Sequence, residues 1–227
     1  MIKERGAIAT ARQSVSKVAA KPQSSHSSML TPISFDTRFV VVGSSTGGTE
    51  AIKVFLTGMP QRTAPILITQ HMPESFVQSF VTRLNGICQM NVKVAEHQEK
   101  IMTGNVYIAP GHSHMSLERI PGSTFRIVLS QGPPVNRHRP SVEVLFHSAA
   151  QVLGAHAIGV MLTGMGEDGA AAMLEMRQAG AYNLAQDEAS CIVFGMPRGA
   201  IKLGAVNEIV PLEKMAERVL VQLSMQR

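Results

Sequence analysis

The chain has 227 residues, 44% of them hydrophobic and 16% charged, with a net charge of +5, which is enough for one sizeable domain with an ordinary buried core. No apolar run approaches the ~18 residues of a membrane span, and two cysteines, Cys88 and Cys191, make no disulfide framework. Aromatic residues are few and no basic run follows a binding motif, so nucleic acid is not the expected partner; the expectation is a cytoplasmic protein without direct membrane insertion.

Residues 1–36 carry five basic side chains against two acidic ones, together with Pro22, Pro32 and an SSHSS run at 24–28. That composition reads as a linker-like flexible tail more simply than as a transit peptide. A domain is expected over 37–227. It begins with an apolar strand at 39–43 (FVVVG) and a helix at 47–56, then a second strand at 65–69 (PILIT) and a helix at 74–85. Strands are expected at 91–94, 106–109 and 125–129, the last two flanking a hairpin-like stretch. A helix over 140–153, a strand at 157–162 and a helix at 168–178 complete the predicted elements. Strands apolar on both faces, alternating with helices, imply a mostly parallel sheet covered on each side. The expected fold class is a three-layer α/β/α architecture with one antiparallel excursion around 90–130.

The strongest local signal is GSSTGG at 43–48. It follows a strand and opens a helix, where open α/β sheets place their ligands. Read as G-x-S-x-G, it centres on Ser45 and has the strand–turn–helix context of a nucleophile elbow. The amides of the new helix suit a developing oxyanion. A phosphate-binding loop and a capped structural turn remain open readings of this stretch, although the P-loop lysine and the Rossmann spacing are both absent.

A serine hydroxyl needs a base. His71 follows the second apolar strand and reaches the same sheet edge as Ser45 if the two strands are parallel neighbours. The His112/His114 pair has no acidic or cysteine partners at metal-binding spacing, so no metal is expected. His138, between Arg137 and Arg139, is expected to have a depressed pKa and to be a poor base. Asp168, in the glycine-rich stretch LTGMGEDG (162–169), either caps the helix it precedes or orients a histidine. The order Ser45, His71, Asp168 differs from that of ordinary α/β-hydrolases, in which the histidine comes last.

Together with that order, GSSTGG, TQHMP, GPPVNRHRPSV, LTGMGEDGA and DEASCIVFGMPR resemble the chemotaxis protein-glutamate methylesterase family, from about residue 38 to 220. The resemblance implies Ser45 as nucleophile, His71 as base and Asp168 as the orienting acid. It also implies that Thr46 and Met165 line the active site, that amides near His71 or Met165 hold the oxyanion, and that the 136–140 and 188–197 segments form cleft walls. The implied substrates are methylated chemotaxis receptors, whose glutamyl methyl esters are hydrolysed and some of whose glutamines are deamidated, with no cofactor. Two departures stand out. Ser44 replaces a common alanine, and only 36 residues, resembling an interdomain linker, stand where family members usually carry a receiver domain.

Overall fold

The structure, a computed structural model, describes residues 37–122 and 124–225; the linker reading of 1–36 falls outside them. In chain order the elements are β1 (Phe39–Ser44), α1 (Gly48–Thr57), β2 (Ile66–Gln70), α2 (Glu74–Ile87), β3 (Asn91–Val94), β4 (Asn105–Ile108), β5 (His114–Ile120) and β6 (Thr124–Ser130). They continue as α3 (Val142–Val152), β7 (Ala157–Met161), α4 (Ala170–Gln178), β8 (Tyr182–Gln186), α5 (Met196–Lys202), β9 (Glu208–Val210) and α6 (Leu212–Ser224).

Seven strands form one parallel sheet in the order β3-β4-β2-β1-β7-β8-β9. Its faces are separated by the two-residue period of β1. Phe39 and Val41 enter one core with Leu145 and Phe146 of α3, Met173 and Met176 of α4, and Met196 of α5. Val40 and Val42 enter the other with Ile52 and Phe55 of α1, Phe80 and Leu84 of α2, and Met215 and Val219 of α6. Apolar side chains on both faces explain why these strands read as continuous hydrophobic runs. The architecture is therefore the expected three-layer α/β fold.

The antiparallel part is narrower than expected. β3 and β4 lie within 90–130 yet pair in parallel, with Val92 opposite Val106. Reversal is confined to a separate hairpin of β5 and β6, registered through Leu117 and Ile127. The strand at 125–129 thus pairs with 114–120 and not with 106–109. β5 escaped prediction because polar His114, Ser116 and Glu118 alternate with core-facing Met115 and Leu117. β8 escaped because its YNLAQ sequence brings the polar Asn183 and Gln186 into the interior. There Asn183 donates to the carbonyls of Met173 and Ala205, which satisfies the buried amide group.

The direction in which successive strands are added reverses at the centre of the sheet. β1 is followed by β2 on one side, while β7, β1's other neighbour, is followed by β8 on the far side. The carboxyl ends of β1 and β7 therefore flank a topological switch point, the usual crevice for ligands in open α/β sheets.

Candidate active site

Parallel pairing brings Ser45 and His71 together. Ser44 stands opposite Gln70 in the β1–β2 register, so the next residues on each strand are adjacent, at an inter-strand spacing of about 4.8 Å. The ladder extends past the strand ends, because the His71 amide donates to the Ser44 carbonyl at 3.1 Å and the Ser45 amide to the Thr163 carbonyl at 3.0 Å. Ser45 then enters the turn into α1. Gly47 at φ 80° makes that turn possible; a Cβ there would lie 2.6 Å from the Ile192 Cβ, so both backbone angle and space demand glycine.

A glutamine at the end of each flanking strand ties down the loops of the central pair. At the end of β2, Gln70 donates from Nε2 to the Ser45 and His71 carbonyls at 3.0 and 2.9 Å. Its Oε1 accepts from the fully buried Ser44 hydroxyl at 2.7 Å. At the end of β8, Gln186 accepts from the Thr163 amide at 2.8 Å and donates to the Ser190 carbonyl at 2.8 Å. The Thr163 hydroxyl accepts from the Val193 amide and donates to the Thr46 carbonyl. The 188–197 segment is thereby laced to the elbow, with Phe194 bridging Gly164. Neither glutamine was singled out from the sequence; each is the last residue of its strand.

Asp168 is 4% exposed and collects four donors. They are His71 Nε2 at 2.8 Å, Asn136 Nδ2 at 2.9 Å, the Ser141 hydroxyl at 2.8 Å and the Val142 amide at 2.7 Å. Burial opposes its charge, but these bonds prevail and hold the carboxyl below its ordinary pKa. The sequence left open whether Asp168 caps α4 or orients a histidine. Its carboxylate does bond His71, and the helix that it caps is α3, whose N-terminal amides otherwise lack partners. Glu143 of α3 returns the arrangement by accepting from the Gly169 and Ala172 amides at the start of α4, at 2.9 and 3.0 Å. Burial raises the Glu143 pKa, and the nearby charge of Asp168 adds to the effect. The two helices are capped across their interface.

His114 supports the same corner. Its Nε2 faces the Pro133 carbonyl at 3.0 Å, which leaves Nδ1 to accept from the Ser141 amide at 3.2 Å. His112 instead pairs with Glu74 through Nδ1 at 3.1 Å. The H-x-H pair is thus divided between two jobs. Both cysteines are free, and burial raises each thiol pKa, that of Cys191 to about 11, which leaves neither one a ready thiolate.

His71 uses Nε2 on Asp168, while its buried Nδ1 has no hydrogen-bond partner among the described residues. No hydrogen bond joins the Ser45 hydroxyl to His71 among the described residues. Thr46 is exposed and Met165 is 70% exposed. The His71 amide is occupied by the Ser44 carbonyl, whereas no hydrogen bond engages the Thr46 or Met165 amide among the described residues. His138 lies flat against His71, with ring centroids 3.8 Å apart and planes 11° from parallel. Its pKa is lowered as expected, but first by burial and then by the charge of His71.

No described helix is long and apolar enough to cross a membrane. The family model "CheB methylesterase" matches residues 40–219. A protein-glutamate methylesterase/protein-glutamine glutaminase of Thiobacillus denitrificans is 57% identical over 189 residues, covering 83% of this chain and 53% of that one. The equivalent protein of Nitrosomonas europaea is 59% identical over 186 residues, covering 82% and 52%. The chain therefore spans about half the length of the curated relatives it matches. The crystal structure of the Thermotoga maritima CheB methylesterase catalytic domain is 34% identical and superposes with a TM-score of 0.80, covering 84% of this chain and all of that one. With most of its length matched by the family model and by these relatives, the chain belongs to the CheB methylesterase family.

Proposed function

We propose that this chain is a serine hydrolase that removes methyl esters from glutamate side chains of chemotaxis receptors, and that it also deamidates particular receptor glutamines. The names of its relatives pair those two activities. The observation that carries the reading is the His71–Asp168 pair at 2.8 Å, beside the Ser45 elbow and with His71 Nδ1 unpartnered.

In this mechanism His71 Nδ1 takes the Ser45 proton as the oxygen attacks the ester carbonyl, while the Nε2–H stays on Asp168. The missing Ser45–His71 bond is compatible with this, since catalytic hydrogen bonds often tighten only when substrate binds. The Thr46 and Met165 amides are suited to hold the developing oxyanion. His71 returns the proton to the leaving methoxide, giving methanol and an acyl-enzyme, and then activates the water that releases glutamate. With a glutamine substrate, ammonia leaves in place of methanol.

Residues 37–227 act as the catalytic domain and 1–36 as a linker; in a longer parent chain a receiver domain would be its partner. Receptor substrates of this kind place the reaction in the cytoplasm. The test is methanol release from methylated receptor membranes, together with fluorophosphonate labelling of Ser45. Labelling without release from receptors would point to a small-ester hydrolase, and absence of both would favour a binding module gripping an anion at 43–48.

A further inference from the structure

We propose that His138 is a positioning residue for the reaction, holding the His71 imidazole by ring stacking while the turn that carries it holds Asp168. The proposal rests on the functional reading above.

Rotation of the His71 ring about its Cβ–Cγ bond is the motion that would swing Nδ1 away from Ser45. Nε2 is restrained by Asp168, but one hydrogen bond leaves the ring free to rock about the N···O line. The His138 ring, 3.8 Å away and 11° from parallel, occupies the space that such rocking needs. It does so without using either His71 nitrogen, so Nδ1 remains available to a hydroxyl. The His71 side chain is only 8% exposed with this arrangement in place.

His138 is itself fixed. Val135 and His138 exchange two backbone bonds, at 3.0 and 2.9 Å, across a turn whose central residues Asn136 and Arg137 have φ of 50° and 68°. Asparagine tolerates that left-handed backbone better than most residues. Here its side chain donates to Asp168 Oδ1 at 2.9 Å. Arg139 anchors the next step of the chain by donating to the Gln131 and Gly132 carbonyls at 3.1 and 2.9 Å. One short turn therefore touches both members of the histidine–carboxylate pair.

Charge fits the same role. The groups facing the His138 ring are His71 and Asp168, with Arg137 and Arg139 adjacent in sequence. Burial and the charge of His71 hold the His138 pKa low, against the opposing pull of Asp168. A neutral ring stacks against an imidazolium without repelling it, so His138 can stay in place while His71 carries the proton.

The experiment compares His138→Ala and His138→Phe with the wild-type chain by three measurements. These are kcat and KM for methanol release from methylated receptor membranes, the rate of fluorophosphonate labelling of Ser45, and the proton NMR signal of His71 Nε2–H in histidine-labelled protein. For His138→Ala, kcat and labelling rate should fall about 10- to 100-fold, as expected for a small misplacement of a reacting group. KM should stay within about twofold, and the Nε2–H signal should broaden. Phenylalanine supplies a ring face without nitrogens, so it should restore both rates to within about threefold and keep the signal. The proposal is overturned if His138→Ala retains its rates and its signal, or if His138→Phe is as impaired as His138→Ala. Should the wild-type chain label with fluorophosphonate yet release no methanol from receptors, the functional reading fails. The role of His138 is then decided by labelling and NMR alone.

Discussion

The two halves of the candidate site are built in different ways. The Ser45 half is held through its backbone: parallel pairing to β2 and β7, a left-handed Gly47, and the Gln70 side chain gripping two backbone carbonyls. The Asp168 half is held by side chains and helix ends gathered from three separate segments, with Asn136, Ser141, Val142 and His71 all converging on one carboxylate. A nucleophile placed by backbone can be altered with little effect on the fold. A carboxylate that is also a helix cap cannot, because its removal strands buried donors.

The largest expected effect tests the first half. Ser45→Ala should lower methanol release by about five to six orders of magnitude, as loss of a serine nucleophile does elsewhere. Its thermal midpoint should change little, because the Ser45 hydroxyl makes no hydrogen bond to another described residue. Substantial unfolding of this variant would erase the contrast between the halves.

Asp168→Asn should lower kcat about 10³- to 10⁴-fold and, unlike Ser45→Ala, destabilise the protein. An amide group presents N–H to at least one of the four donors that the carboxylate accepts, and an unsatisfied buried partner costs about 1–3 kcal/mol. Urea unfolding of the two variants side by side measures the difference. Acid should act on the same interaction. The folded pKa of Asp168 lies below its ordinary value of about 3.9. Its contribution is thus fully present above about pH 5 and is lost as pH falls through the unfolded value and then the lowered folded value. Asp168→Asn should flatten that acid limb of the stability curve.

Glu143→Ala separates capping from chemistry. It removes the acceptor for the Gly169 and Ala172 amides, so stability should fall by about 1–2 kcal/mol. The kcat should fall far less than in Asp168→Asn, because Glu143 does not touch His71. A loss of activity as large as that of Asp168→Asn would show that the cross-capped helices, and not the carboxylate itself, set the rate.

Ser44→Ala should have the smallest effect. The Ser44 hydroxyl is buried and donates only to Gln70 Oε1. Gln70 keeps its bonds to the Ser45 and His71 carbonyls, so most activity should survive, with a stability loss on the order of 1 kcal/mol. An inactive Ser44→Ala with an active Ser45→Ala would reverse the assignment of the nucleophile.

The sequence reveals the two halves unequally for the same physical reason. GSSTGG could be read because strand, turn glycine and helix start are contiguous, so their geometry follows from local backbone preferences. The position of His71 could be read because strand pairing brings consecutive strand ends together. His138 was set aside as a poor base, and its neutrality was attributed to flanking arginines; the structure assigns it first to burial. Its stacking on His71 joins residues 67 positions apart, which no local pattern reports. The 136–140 segment was expected as a cleft wall, but the bond from Asn136 to Asp168 was not, and the roles of Ser141 and the helix-capping Glu143 stay invisible until α3 and α4 are placed side by side.

What the sequence by itself determined is the layered α/β plan and the chain positions of β1, β2, β3, β4, β6 and β7, since two-sided apolar strands must be buried between helices. It also determined which serine, histidine and aspartate end up at the carboxyl edge. Only the tertiary structure decided which nitrogen of His71 meets Asp168, which helix that carboxylate caps, and where the antiparallel hairpin begins. Those outcomes depend on how separate segments satisfy one another's buried donors and acceptors, and that accounting closes only when the chain is folded.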